Sequence, residues 1–166
     1  MQSRAKLFGH SVHQMLIVFP LGLLATAVVF DVVYLANDNA MMAAVAYWMV
    51  AAGVIGALVA APFGAIDWLA IPADTRAKKI GAIHGGGNLV VALLFIGSWL
   101  LRGDADNAPP TLAYVLSFAG AALALFTGWL GGELVTRLGV GVYDDANPNA
   151  PTSLHHDRLH ERAATH

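Results

Sequence analysis

Cysteine is absent from the 166-residue chain. Its absence excludes disulfides, protein-ligated iron–sulfur clusters, thiolate zinc sites and covalently attached haem, so any metal has to be held by imidazole, carboxylate or methionine. Charge is nearly as scarce. Asp, Glu, Lys and Arg make up 12% of the residues against 57% that are hydrophobic, too little polar surface to wet a soluble domain of this size. Also missing are a phosphate-binding glycine loop, a nucleophile elbow and a metalloprotease helix motif, which leaves no support for soluble enzyme chemistry. The net charge of −2 gives no reason to expect nucleic acid as a partner.

What the chain has instead is four long apolar runs, about 15–35, 42–66, 80–101 and 112–134, rich in Ala, Val, Leu and Gly. Each reaches the roughly 20 residues that a helix needs to cross the hydrocarbon core. Backbone polar groups cannot go unpaired in lipid, so the fold class expected is all-α, a four-helix transmembrane bundle of two helical hairpins. Turn signals separate the runs: Asn37-Asp38-Asn39, then Ile71-Pro72-Ala73-Asp74, then Arg102-Gly103-Asp104 through Pro109-Pro110. Arg4, Lys6 and Ala25-Thr26-Ala27 imitate a cleavable signal, but the apolar run continues through Val28-Val29-Phe30, which favours an uncleaved first span.

All basic residues except Arg102 fall on one side of the spans, and Arg102 is expected in a loop on the other. The positive-inside rule then puts both termini in the cytoplasm of a bacterial cell, with the chain in its inner membrane and the bilayer as its first partner. Domain organisation follows: a transmembrane domain over 1–142 and a polar, Pro-broken, His-rich tail over 143–166, expected to be mobile. Within that tail His156 and His160 stand at i, i+4, and His155 and His166 complete the set; solvated disorder is the simpler expectation for them than a metal site.

Histidines open the odd runs and carboxylates close the even ones: His13 then Asp67, and His84 then Glu133. With a rise of about 1.5 Å per residue, all four lie within roughly two turns of the cytoplasmic boundary. Gly9-His10-Ser11-Val12-His13 and Gly81-Ala82-Ile83-His84, with Gly64-Ala65-Ile66-Asp67 and Gly128 to Glu133, suggest a parallel two-hairpin repeat. Three readings stay open. His10, His13, Asp67, His84 and Glu133 are the ligand types of a zinc, iron or manganese ion. Alternatively His13 and His84 are axial ligands of a haem b, with Asp67 and Glu133 accepting from the far imidazole nitrogens and Arg4, Lys6, Arg76 or Lys79 meeting the propionates. The plain reading is that these groups snorkel or pair, Glu133 with Arg137, and pin the helix ends.

Other residues bear on the same rim. Asn88 lies one turn beyond His84 and either lines a cofactor cavity or bonds nearby backbone. Gly85-Gly86-Gly87 and Gly128, Gly131 and Gly132 allow close helix packing or leave room for a flat cofactor. Pro20 and Pro62 are expected to kink their spans near the rim. Trp48, Trp68, Trp99 and Tyr34 suit an interfacial belt. Asp31 is roughly 27 Å along the helix from His13 and is expected to reach the outer interface.

The segments Gly9-His10-Ser11-Val12-His13, Phe19-Pro20-Leu21-Gly22, Ala61-Pro62-Phe63-Gly64-Ala65-Ile66-Asp67-Trp68 and Gly131-Gly132-Glu133-Leu134-Val135, with Gly139-Val140-Gly141-Val142, carry a resemblance. Over about residues 7–142 the chain resembles the domain of unknown function 2231 family, small bacterial four-helix membrane proteins. The family is uncharacterised as a class. Some members are fused to Rieske-type iron–sulfur domains, which implies a redox neighbourhood and a redox protein as partner. This chain departs from the family pattern at Ser11 and Gln14, where prolines are common, and at Leu138, where a histidine is frequent. The leading expectation is a membrane protein with a haem b or metal site and an electron-transfer role. Its alternative is a non-catalytic membrane subunit or scaffold. A transporter is weaker, because no polar group is expected near the midplane.

Overall fold

The structure, a computed structural model, describes residues 1–154. In chain order it comprises β1 (Lys6–Leu7), β2 (His10–Ser11), α1 (Val12–Leu16), α2 (Val18–Asn37), α3 (Ala40–Ala70), α4 (Arg76–Arg102) and α5 (Thr111–Thr136). Four spans long and apolar enough to cross a membrane result, α1 and α2 together forming the first. The step between them at Ile17 has a local cause. Pro20 has no N–H to return to the Leu16 carbonyl, so the helical ladder is interrupted one turn above His13. Pro62 does not interrupt α3.

Each helix outruns its apolar stretch by a few residues, and turn and capping residues set several of the ends. Asp38 ends α2 in the left-handed conformation, and Asn39 accepts from the Met41 N–H at 3.1 Å to begin α3. Thr75 accepts from the Lys78 N–H at 3.1 Å to begin α4, and Gly103, at φ 67°, closes it. α2 packs on α3 and α4 on α5, and the two hairpins meet mainly along α3 and α4. Leu24, Ala27, Val50, Val54, Val91 and Phe95 form the shared core.

The hairpins repeat one another at their closest helix contacts. A Cβ on Gly53 would strike Leu24, and one on Gly120 would strike Phe95; one on Gly64 would strike the His13 ring, and one on Gly131 the His84 ring. Leu24 and Phe95, like His13 and His84, are separated by the same 71 residues that separate Asp31 from Arg102. The glycines of α3 recur in α5 after 67. This is the parallel repeat anticipated from the sequence, with a corrected register. Asp67 corresponds to Leu134 and Glu133 to Ile66, so the two carboxylates are not equivalent positions.

Asp31 and Arg102 depart most from expectation. Asp31 does not reach the outer interface and Arg102 is not a loop residue. Both side chains are 0% exposed, joined by two parallel bonds of 2.8 and 2.6 Å from Arg102 Nη1 and Nη2. Ser98 and Ser117 each donate a hydroxyl to the Ala113 carbonyl, at 2.7 and 2.8 Å, which turns their oxygens toward the guanidinium. The Tyr114 ring lies 5.5 Å from it. An unpaired charge cannot persist in such surroundings, so α2 of one hairpin and the end of α4 in the other are drawn into one register.

At the opposite end, β1 and β2 form a hairpin pairing Lys6 with Ser11 and Leu7 with His10. Its two-residue turn, Phe8-Gly9, has positive φ at both positions, 50° and 82°, the pattern of a type I′ turn. Glycine is at home there; phenylalanine costs about 1–2 kcal/mol. Residues after α5 fold back on this hairpin, with Tyr143 donating to Gly9 O at 2.8 Å and Ser153 to Phe8 O at 3.1 Å. The expected tail begins in this contact, and its His155, His156, His160 and His166 lie outside the described residues.

Replacing one member of the buried pair, as in Arg102→Leu, should lower unfolding free energy in mixed micelles by about 3–5 kcal/mol. The double variant Asp31→Leu with Arg102→Leu should recover most of that loss. Equal losses in the single and double variants would show that the charges do not depend on each other.

Candidate functional site

At the end bearing the chain termini, each hairpin carries one imidazole across its own helix pair. His13, in α1, has Nδ1 3.1 Å from the Ala60 carbonyl of α3. His84, in α4, has Nδ1 2.8 Å from the Thr127 carbonyl of α5. A carbonyl only accepts, so in both rings the proton sits on Nδ1 and Nε2 carries the lone pair. Gly64 and Gly131, one turn beyond those carbonyls, seat the rings: an added Cβ would lie 2.8 Å from His13 Cε1 and 3.0 Å from His84 Cε1. These glycines therefore make room for imidazole, not for a flat cofactor.

The two Nε2 atoms differ in what they meet. Asn88 donates from Nδ2 to His84 Nε2 at 3.1 Å, and its Oδ1 accepts from Thr127 Oγ1 at 2.8 Å, closing a ring of bonds through the Thr127 backbone. Gly87 admits the Thr127 methyl that this arrangement requires. His13 Nε2 has no hydrogen-bond partner among the described residues.

The carboxylates expected beside the histidines have other partners. Asp67, buried at the end of α3, accepts from Ser3 Oγ at 2.8 Å, Arg4 N at 2.7 Å, Ala5 N at 3.3 Å and Ser11 Oγ at 3.4 Å. It fastens the N-terminal segment over the bundle. Glu133 pairs with Arg76 at 2.7 Å rather than with Arg137. His10 lies exposed on β2, its Nε2 3.5 Å from Ser153 Oγ. Among the described residues, no three His, Asp or Glu side chains converge as a metal site. The five expected ligands are thus neighbours along one rim without forming one cluster, because hydroxyls, backbone amides and Arg76 claim the two carboxylates.

Thr127 was not among the candidates, nor were Ser98, Ser117 and the Asp31–Arg102 pair. The spacing held a signal for that pair. An acid and a base stand as far apart in the chain as His13 and His84 do, so a repeat aligned on the histidines superposes them.

A model of the family described as "Predicted membrane protein (DUF2231)" matches residues 9–144. No curated protein matches the chain, and no solved structure does.

Seated rings make the glycines sensitive and their neighbours tolerant. Gly64→Ala and Gly131→Ala should each destabilise by about 1–3 kcal/mol through overpacking. Gly86→Ala and Gly132→Ala, which meet open space, should gain up to about 1 kcal/mol in helix propensity. Thermal midpoints in one detergent compare the four, and similar shifts for all of them would refute the seating of the rings.

Proposed function

The chain belongs to the DUF2231 family of predicted membrane proteins, and from that premise we propose that it binds a haem b or a metal ion through His13 and His84. Its role is then electron transfer with a redox protein partner. One observation carries this reading: both imidazoles donate Nδ1–H to a helix carbonyl and keep Nε2 as the lone-pair nitrogen, in two equivalent places. Metal-bound histidines are held in this way, the backbone bond fixing tautomer and ring orientation while Nε2 ligates. The donor chemistry fits haem iron, and a haem bound there would supply one-electron redox chemistry. Asn88 would have to yield His84 Nε2, and Arg4, Lys79 and Arg137 stand at the same rim without carboxylate partners among the described residues.

The membrane assignment of the finer reading is the bacterial inner membrane with both termini cytoplasmic. Burial of Arg102 supports it, since the exception to the charge bias is not a free cation.

A second reading, a non-catalytic membrane subunit or scaffold, is favoured by Asn88. Its bond to His84 Nε2 completes the hydrogen bonding of that ring without any ligand.

Visible absorption of the purified full chain, with and without haem supplied during expression, decides between them. The haem reading expects a Soret band that is lost in His13→Ala and in His84→Ala and retained in Asn88→Ala. Without a band in either preparation the haem version fails. Elemental analysis then tests a bound metal ion, and a metal content unchanged in the double variant His13→Ala with His84→Ala would leave the scaffold reading standing.

A further inference from the structure

Phe8 occupies a position that its residue type does not suit and presents its side chain where nothing in the described protein uses it. It stands at φ 50° in a tight turn and is 72% exposed, beside Leu7, also exposed. Strain of this kind is retained where the side chain serves a purpose that a strain-free residue could not. The hairpin is also held rigidly. Asp67 grips residues 3–5 and Ser11 at its base, and Tyr143 and Ser153 bond Gly9 and Phe8 at its tip. A Cβ at position 9 would lie 2.6 Å from Ser153 Cβ, so the segment after α5 packs closely on the tip.

Location indicates the occupant. The hairpin runs directly into α1, the start of the first span, and so stands at the level where hydrocarbon gives way to headgroups. At the same end of the bundle, Arg4, Lys79 and Arg137 make no ion pair among the described residues. Exposed apolar side chains on a rigid tip, with cations at the same end of the bundle that make no ion pair among the described residues, have the chemistry of an interfacial anchor: the ring enters the upper acyl region while the cations meet anionic headgroups. We propose that the Leu7-Phe8 tip inserts into the headgroup boundary of the surrounding bilayer and that anionic lipid strengthens the insertion. This assignment does not depend on any cofactor at His13 and His84.

The lack of cysteine makes the test direct. Phe8→Cys, and Asn149→Cys on the exposed polar loop at the same end, each give a single thiol for an environment-sensitive fluorophore. The full chain is reconstituted into vesicles of phosphatidylcholine alone or mixed with phosphatidylglycerol, and circular dichroism confirms the helical fold. At position 8 the expected result is blue-shifted emission, quenching by lipids spin-labelled high on the acyl chain, and protection from aqueous iodide. At position 149 the expected result is the reverse. Leu7→Cys provides a second tip probe that leaves the turn intact. Iodide access at 7 and 8 equal to that at 149 would overturn the proposal. So would protection from iodide without quenching by spin-labelled lipid, which would mean that protein covers the tip. Equal lipid quenching in neutral and anionic vesicles would remove the part assigned to the cations.

Discussion

Two opposite charges with no water to turn to must find each other, and this necessity sets the arrangement of the two hairpins. Apolar helix faces in lipid gain little by choosing one partner over another, since the surrounding acyl chains are as apolar as Leu24 or Val91. Packing alone therefore leaves hairpin-to-hairpin register weakly specified. A guanidinium and a carboxylate at zero exposure specify it sharply, because a slide of one turn would strand both in a low-dielectric interior. The two serines that donate to one carbonyl complete the environment and fix which way the guanidinium fork points.

Within each hairpin a different constraint operates. There the determinants are glycines, each placed where a large side chain of the neighbouring helix comes closest: Leu24 on Gly53, Phe95 on Gly120, and the two imidazoles on Gly64 and Gly131. Close approach lets a ring reach a carbonyl of the opposite helix, which cannot take a second bond from water in lipid. The hairpins are thus matched by shape, and the bundle is matched by charge.

The helices were legible in the sequence because hydropathy and turn signals report on single segments: four apolar runs, with Asn37-Asp38-Asn39, Ile71 to Asp74 and Arg102-Gly103-Asp104 between them. His13 and His84 were legible as a pair because both stand at one rim. Partners were not legible. Which carbonyl receives an imidazole, that Asp67 would be claimed by Ser3 and backbone amides, and that Arg102 would be buried and not left in a loop all depend on contacts between residues distant in the chain. The one route to them was register. Aligning the halves on carboxylates of different roles placed Glu133 opposite Asp67 and hid the correspondence, whereas aligning them on the histidines brings Asp31 onto Arg102.

Where the repeat is broken is as informative as where it holds. Ser98, Ser117, Thr127 and Asn88 all belong to the second hairpin, and their counterparts in the first are Ala27, Val50, Ala60 and Ile17. Polar partners have therefore accumulated on one side of the pseudo-symmetric bundle. On that side both ring nitrogens of His84 are engaged, by Thr127 and by Asn88. On the other side, the equivalent of Asn88 is Ile17, where the first span steps, and its side chain has no amide to offer His13. His13 is oriented by the same backbone bond as His84 but retains its Nε2 lone pair. Of two imidazoles at equivalent positions, the one on the interrupted helix has no hydrogen bond at Nε2 among the described residues, whereas at the other the same nitrogen would first have to give up Asn88.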